Sequence, residues 1–150
     1  MQSGFALDLG CGSGEQSIWL AHHGFEVEGL DYSTEAIKIA QSDQSPVSFE
    51  QWDLEQLVNY PFKHNVYDLI IIRKVLAFLD NKIELLNIVK TKLNGVLILQ
   101  VFLEHDEKPY VVSDKKELEK VLQERFAIVA IEYPSVRNKV VIADYYLKNK

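Results

Sequence analysis

The chain has 150 residues, 47% of them apolar and 25% charged, with a formal net charge of −6. That composition suits one soluble globular domain over residues 1–150, and the acidic balance argues against unspecific binding to a nucleic-acid backbone, which needs clustered Lys and Arg. Cys11 is the only cysteine, so no internal disulfide forms and a cytoplasmic location is expected; there is no signal-peptide pattern and no apolar run long enough to cross a membrane.

The first element is "FALDL", residues 5–9, a short buried strand. Gly10, Gly12 and Gly14 follow it, and a helix is expected from about Glu15 to His23, with Gly24 in the position of a C-terminal helix glycine. "FEVEGLD" alternates and reads as a second strand ending at Asp31; Ser33 then caps a helix that runs to about Gln41. "VSFEQWD" is a third strand. "YDLIII", 67–72, is apolar on both faces, as the centre of a parallel sheet requires. "NKIELLNIVKTKL" reads as an amphipathic helix closed by an Asn94-Gly95 break, and "GVLILQVF" as the fifth strand. "SDKKELEKVLQER" is a helix with Ser113 or Asp114 as its cap, and the final segment gives two strands joined by a turn around Pro134 to Asn138.

Strands alternating with helices imply right-handed crossovers and parallel pairing. The last two strands are too close in sequence for a parallel return, so they pair antiparallel. The expected fold is α/β: a doubly wound, seven-stranded, mostly parallel sheet with a C-terminal antiparallel hairpin.

In such a sheet the ligand lies beyond the carboxyl ends of the strands, beside the first loop. Three glycines there indicate a backbone that bends tightly or approaches something closely. Asp31 follows Gly10 by 21 residues and stands at the end of the second strand, where a carboxylate accepts from ribose hydroxyls. A nicotinamide dinucleotide wants G-x-G-x-x-G, yet here the third glycine comes one residue early and Glu15 stands where that pattern wants a small residue. Acidic Asp8 and Glu15 are poor neighbours for a pyrophosphate, and a cofactor with a cationic end fits better. Among the remaining polar residues, Cys11 reads as a loop filler, His22 and His23 as caps of a helix end, Asp68 as an acceptor for local amides, and Trp19 as core or interface. Of Tyr145 and Tyr146, one ring is expected to point outward. No metal-ligand spacing is visible.

"LDLGCGSG", "VEGLDYS", "VSFEQWDLEQL" and "VYDLIIIRKVLAFLD" together resemble the class I S-adenosylmethionine-dependent methyltransferases, over residues 5 to about 147. The resemblance implies S-adenosylmethionine as cofactor and a small-molecule acceptor; with no Asn-Pro-Pro-aromatic stretch after the fourth strand, no strongly basic face and no membrane-length apolar run, neither nucleic acid nor membrane is expected as partner. It also implies roles by position. Gly10, Cys11, Gly12 and Gly14 form the loop under the methionine part. Asp8 lies near its amino group, Asp31 takes the ribose hydroxyls and Tyr32 packs on the adenine. Trp52 covers the pocket edge, Asp53 and the Leu54 amide meet the adenine edge, and Arg73 gives a backbone contact to the methionine moiety. Trp52, the basic Arg73-Lys74 pair and Phe78 depart from the family pattern; Phe78 replaces a histidine frequent among relatives, so no mechanism is carried over from that histidine. "KVLAFLD" also resembles small bacterial methyltransferases linked to tellurite resistance.

No general base is visible, and a sulfonium donor requires one only for acceptors that hold a proton tightly. His105, Tyr110, Arg73 and Lys74 are expected on the ligand-bearing rim, the last two either neutralising an anionic substrate or held in salt links. Family members carry helices ahead of the first strand that close over the cofactor, and none is seen here. That leaves further N-terminal sequence, a homodimer or partner subunit covering the site, an open pocket, or a cofactor-binding scaffold without turnover.

Overall fold

The computed structural model describes residues 4–104, 115–134, 136–137 and 140–150. Its strands are β1 (Gly4–Leu9), β2 (Phe25–Asp31), β3 (Ser48–Gln51), β4 (Tyr67–Arg73), β5 (Leu93–Glu104), β6 (Phe126–Glu132), β7 (Val136–Arg137) and β8 (Val140–Asn149). Its helices are α1 (Glu15–His22), α2 (Thr34–Ser42), α3 (Lys82–Lys92) and α4 (Lys115–Arg125). The sheet order is β3-β2-β1-β4-β5-β8-β6; the first five strands are parallel, and β8 runs antiparallel between β5 and β6.

The apolar runs explain this order. β1, β4 and β5 occupy the middle, where both faces are covered and successive residues must be apolar. On one face Leu7, Leu9, Ile70, Ile72, Leu97 and Leu99 meet Leu85, Leu86 and Val89 of α3 and Leu118 and Leu122 of α4. On the other face Leu20 of α1 packs on Ala6, Val27 and Ile71, and Ile37 and Ala40 of α2 pack on Phe49. Tyr145 is fully buried in the first layer and donates to Glu119 at 3.0 Å, while Tyr146 faces the opposite side, as the sequence leads one to expect of the pair.

Local signals hold at most boundaries. Ser33 caps α2 by accepting from the Ala36 amide at 3.2 Å. Gly24 follows α1 at φ +95°. His23 Nδ1 reaches the Trp19 carbonyl at 2.7 Å and its ring stacks on Trp19 at 3.8 Å, so it caps the helix end; Trp19 itself is 54% exposed and belongs to no core.

The structure corrects two expectations and adds one element. The Asn94-Gly95 pair is not a break: β5 starts at Leu93, directly after α3. Pairing shifts between Tyr67↔Leu93 and Leu69↔Val96, a β-bulge that brings Gly95 so close to β4 that a β-carbon there would lie 2.0 Å from the Asp68 carbonyl oxygen. Asp68 closes the same junction by accepting from the Phe5 amide at 2.9 Å and from Asn94 Nδ2 at 3.3 Å. A two-residue strand, β7, lies within the expected final turn and pairs with β8. A helical turn over Leu54–Asn59, too short to show a period, follows β3. The Ser113 or Asp114 cap and the rim residues His105 and Tyr110 lie outside the described residues. No helix among the described residues is long and apolar enough to cross a membrane.

Candidate active site

Parallel pairing of β3, β2, β1 and β4 places the carboxyl ends of four adjacent strands along one edge. Asp31 pairs with Gln51 and Leu9 with Ile72, so the glycine loop, Asp31-Tyr32, Trp52-Asp53 and Arg73-Lys74 stand in a row.

The glycine loop is fastened to β2. The Gly10 and Cys11 amides both donate to the Leu30 carbonyl, at 2.8 and 2.9 Å. Gly14, at φ +84°, starts α1 without a side-chain cap. A β-carbon at Gly10 would meet Val75 Cγ2 at 2.1 Å, and one at Gly14 would meet the Phe49 ring at 2.5 Å. Those two glycines are therefore required by the protein's own packing. Gly12 differs: its φ is +56°, and no atom of the described residues lies within 4 Å of an added β-carbon. Of the three, only Gly12 presents bare backbone to open space. Its amide donates to Asp31 Oδ2 at 2.9 Å.

Asp31 Oδ1 accepts from the Ser33 amide at 2.9 Å, so each carboxylate oxygen holds one backbone donor and keeps a second lone pair. Tyr32 is 70% exposed beside it. The Trp52 amide donates to the Asp31 carbonyl at 2.9 Å. The Trp52 ring donates from Nε1 to the Gln56 carbonyl at 3.2 Å and lies edge-on to Tyr60, 5.0 Å between centroids. Asp53 Oδ1 accepts from the Glu55 amide at 2.9 Å. Leu54 opens the turn, where the first amides have no intrahelical acceptor.

Asp8 is 2% exposed and accepts from Ser17 Oγ at 2.6 Å. Burial lifts its pKa from 3.8 to about 6, against the Ser17 hydrogen bond and the Arg73 charge, which pull it down. Asp8 is thus enclosed at the end of β1, against α1, rather than lining the open surface. Burial, then the charges of Asp8 and Asp31, push the Cys11 thiol up, so it carries no thiolate at neutral pH and suits a filler role.

Arg73, at the end of β4, donates from Nη1 to Gln16 Oε1 at 3.2 Å and from Nε to Gln100 Oε1 at 3.5 Å. Lys74 takes φ +58°, a left-handed conformation that costs a side-chain-bearing residue about 1–2 kcal/mol. Its amide donates to the Gln100 carbonyl at 2.8 Å, and its Nζ sits 5.3 Å from the centre of the Phe102 ring. Neither cation is in an ion pair among the described residues, so the salt-link reading finds no carboxylate partner.

Sequence reasoning missed several residues. Ser17 is fully buried on α1 and orients Asp8. Gln16 and Gln100 hold Arg73; the one signal in the sequence for Gln100 is that it interrupts an otherwise apolar strand. Glu28, 2% exposed on β2, accepts from the hydroxyls of both Tyr60 and Tyr67. Burial, followed by Glu28 itself, keeps both phenols protonated.

Residues 4–141 match the family described as "Methyltransferase domain". A putative methyltransferase of Bacillus subtilis, YqeM, is 33% identical over 108 residues, which is 67% of this chain and 43% of the relative. The chain spans less than half the length of the curated relatives it matches. Among solved structures, a TehB-like S-adenosylmethionine-dependent methyltransferase from Corynebacterium glutamicum superposes with TM-score 0.77 at 19% identity, covering 100% of this chain and 82% of the other. Magnesium protoporphyrin IX methyltransferase from Synechocystis PCC 6803, solved with S-adenosylmethionine bound, gives TM-score 0.76 at 23% identity, covering 99% and 71%. These structures share the fold, the matched family covers nearly the whole chain, and the chain belongs to the class I S-adenosylmethionine-dependent methyltransferases.

Proposed function

We propose that this chain binds S-adenosylmethionine along the carboxyl edge of β1–β4 and catalyses transfer of its methyl group to a small-molecule acceptor. The observation that carries the reading is Gly12, whose bare backbone faces open space while its amide is fixed on Asp31. The donor set fits the cofactor. Asp31 keeps lone pairs for ribose hydroxyls. The free Asp53 oxygen and the Leu54 amide suit an adenine edge, with the exposed Tyr32 ring as its platform. Asp8, beneath the loop, favours a cationic group above it, and the Arg73 backbone carbonyl offers an acceptor at the methionine end.

The bound sulfonium supplies an activated methyl group. What the chain supplies is alignment: the fastened loop and Asp31 fix one reactant, and holding a second in line with it removes several kcal/mol of the barrier, up to about 7–11 in favourable cases. No residue at this edge is assigned as a general base. Calorimetry with S-adenosylhomocysteine tests the reading. Losing the charged ribose acceptor in Asp31→Ala removes about 3 kcal/mol, roughly a 100-fold loss of affinity. Unchanged affinity in a folded variant defeats it. Release of S-adenosylhomocysteine from S-adenosylmethionine, screened against varied acceptors, measures turnover directly.

A further inference from the structure

We propose that the methyl acceptor carries an anionic group, a carboxylate or a phosphate, received by the side chains of Arg73 and Lys74. The inference rests on the methyl-transfer reading of the same edge and names the substrate class for it.

Arg73 ends β4 and Lys74 follows it, on the opposite side of the glycine loop from Asp31 and Asp53. Adenosine recognition belongs to those two acids, so the β4 side remains for the acceptor. Both cations lie over the same face of β5, because Gln100 and Phe102 are two residues apart on one strand. The left-handed turn at Lys74 lets consecutive side chains reach one face; in extended backbone they would point to opposite faces.

The Arg73 fork is built in position. Gln100 Nε2 donates to Asp144 Oδ1 at 2.7 Å. A carboxylate can only accept and a guanidinium can only donate, so this bond fixes the amide with its carbonyl toward Arg73. Gln16 Oε1 holds the guanidinium from the α1 side. Among the described residues its side-chain hydrogen bonds go to neutral amides, which orient the fork; the buried Asp8 carboxylate feels the Arg73 charge but forms no ion pair with it. Lys74 is likewise set against a ring rather than a carboxylate. Two cations unpaired among the described residues, in a chain of net charge −6, form a planar fork and a point charge suited to bidentate capture of an oxyanion. Arg73 also lines an open cleft of ≈ 410 Å³ with Glu15, Gln16 and the exposed Trp19. The Trp19 ring gives an apolar wall, and Glu15, at the loop end, repels an anion toward Arg73.

The cofactor's own carboxylate is the rival source of the same chemistry, and the experiment separates the two. The full chain, saturated with S-adenosylhomocysteine, is titrated with benzoate, phenyl phosphate and neutral benzamide, following Arg73 Nε–Hε and Trp19 Nε1–Hε1 by ¹⁵N NMR. The expected result is saturable shifts with benzoate or phenyl phosphate, none with benzamide, and at least tenfold weaker anion binding in Arg73→Gln and in Lys74→Gly. Glycine relieves the positive φ, so Lys74→Gly is also expected to raise Tm, which separates loss of binding from loss of fold. Equal response to benzamide, or no anion response in the cofactor-saturated protein, overturns the inference alone. It is also overturned if Arg73→Gln weakens S-adenosylhomocysteine but not 5′-methylthioadenosine, which lacks the amino-acid part. Failure of S-adenosylhomocysteine to bind at all defeats the underlying reading, and this one with it.

Discussion

Asp8→Asn is expected to make the protein more stable and, at the same time, a poorer binder of S-adenosylmethionine. Burial raises the Asp8 pKa from 3.8 to about 6. The folded state therefore holds a proton that the unfolded chain releases. The contribution of that proton is fully present below pH 3.8 and is lost as pH rises through about 6. At pH 8 the fold carries an ionised, desolvated carboxylate. The difference in proton affinity, at about 1.4 kcal/mol per tenfold, sets the destabilisation at about 3 kcal/mol there and about 1 kcal/mol at pH 4.5. Asparagine keeps an oxygen for Ser17 and removes the charge. Urea unfolding should show the variant more stable by up to about 3 kcal/mol at pH 8, falling to about 1 kcal/mol at pH 4.5. Calorimetry should show weaker S-adenosylhomocysteine binding, since the charge beneath the loop is gone. A variant no more stable than the parent at pH 8, or a gain equal at both pH values, refutes the assignment of Asp8 as a buried, strained acid.

Gly12→Ala should fold, because no atom of the described residues lies within 4 Å of the added carbon, and lose only about 1 kcal/mol to its positive φ. Its S-adenosylhomocysteine affinity should fall at least tenfold by calorimetry, roughly 1.4 kcal/mol, and an unchanged affinity would show that the ligand does not approach that backbone. Tyr67→Phe removes one of two hydroxyl donors from the buried Glu28 carboxylate. Urea unfolding should register a loss of about 1.5–3 kcal/mol, and a loss below roughly 0.5 kcal/mol would mean that Glu28 is satisfied without it.

Much of this protein is written locally. Apolar runs at 5–9, 67–72 and 95–102 mark the central strands, Ser33 marks the start of α2, and the spacing from Gly10 to Asp31 marks the carboxyl edge. Period and capping act within a few residues, so sequence alone carries them, and it determined the order of elements and the row of residues that line the edge. It could not tell why each glycine is needed. Gly10 and Gly14 answer to Val75 and Phe49, which are distant in the chain, while a β-carbon at Gly12 would meet no atom of the described residues. Nor could it place Glu28, whose alternation with Glu26 reads as solvent-facing. Glu26 does stay exposed at the start of β2, and only packing reveals that Tyr60 and Tyr67 close over the Glu28 carboxylate two residues on. The Asn94-Gly95 pair has the local signature of a turn, yet close approach to Asp68 makes it part of a strand. The fork of Gln16, Gln100 and Asp144 around Arg73 joins α1, β4, β5 and β8, and contacts so far apart in sequence exist only once the sheet has closed.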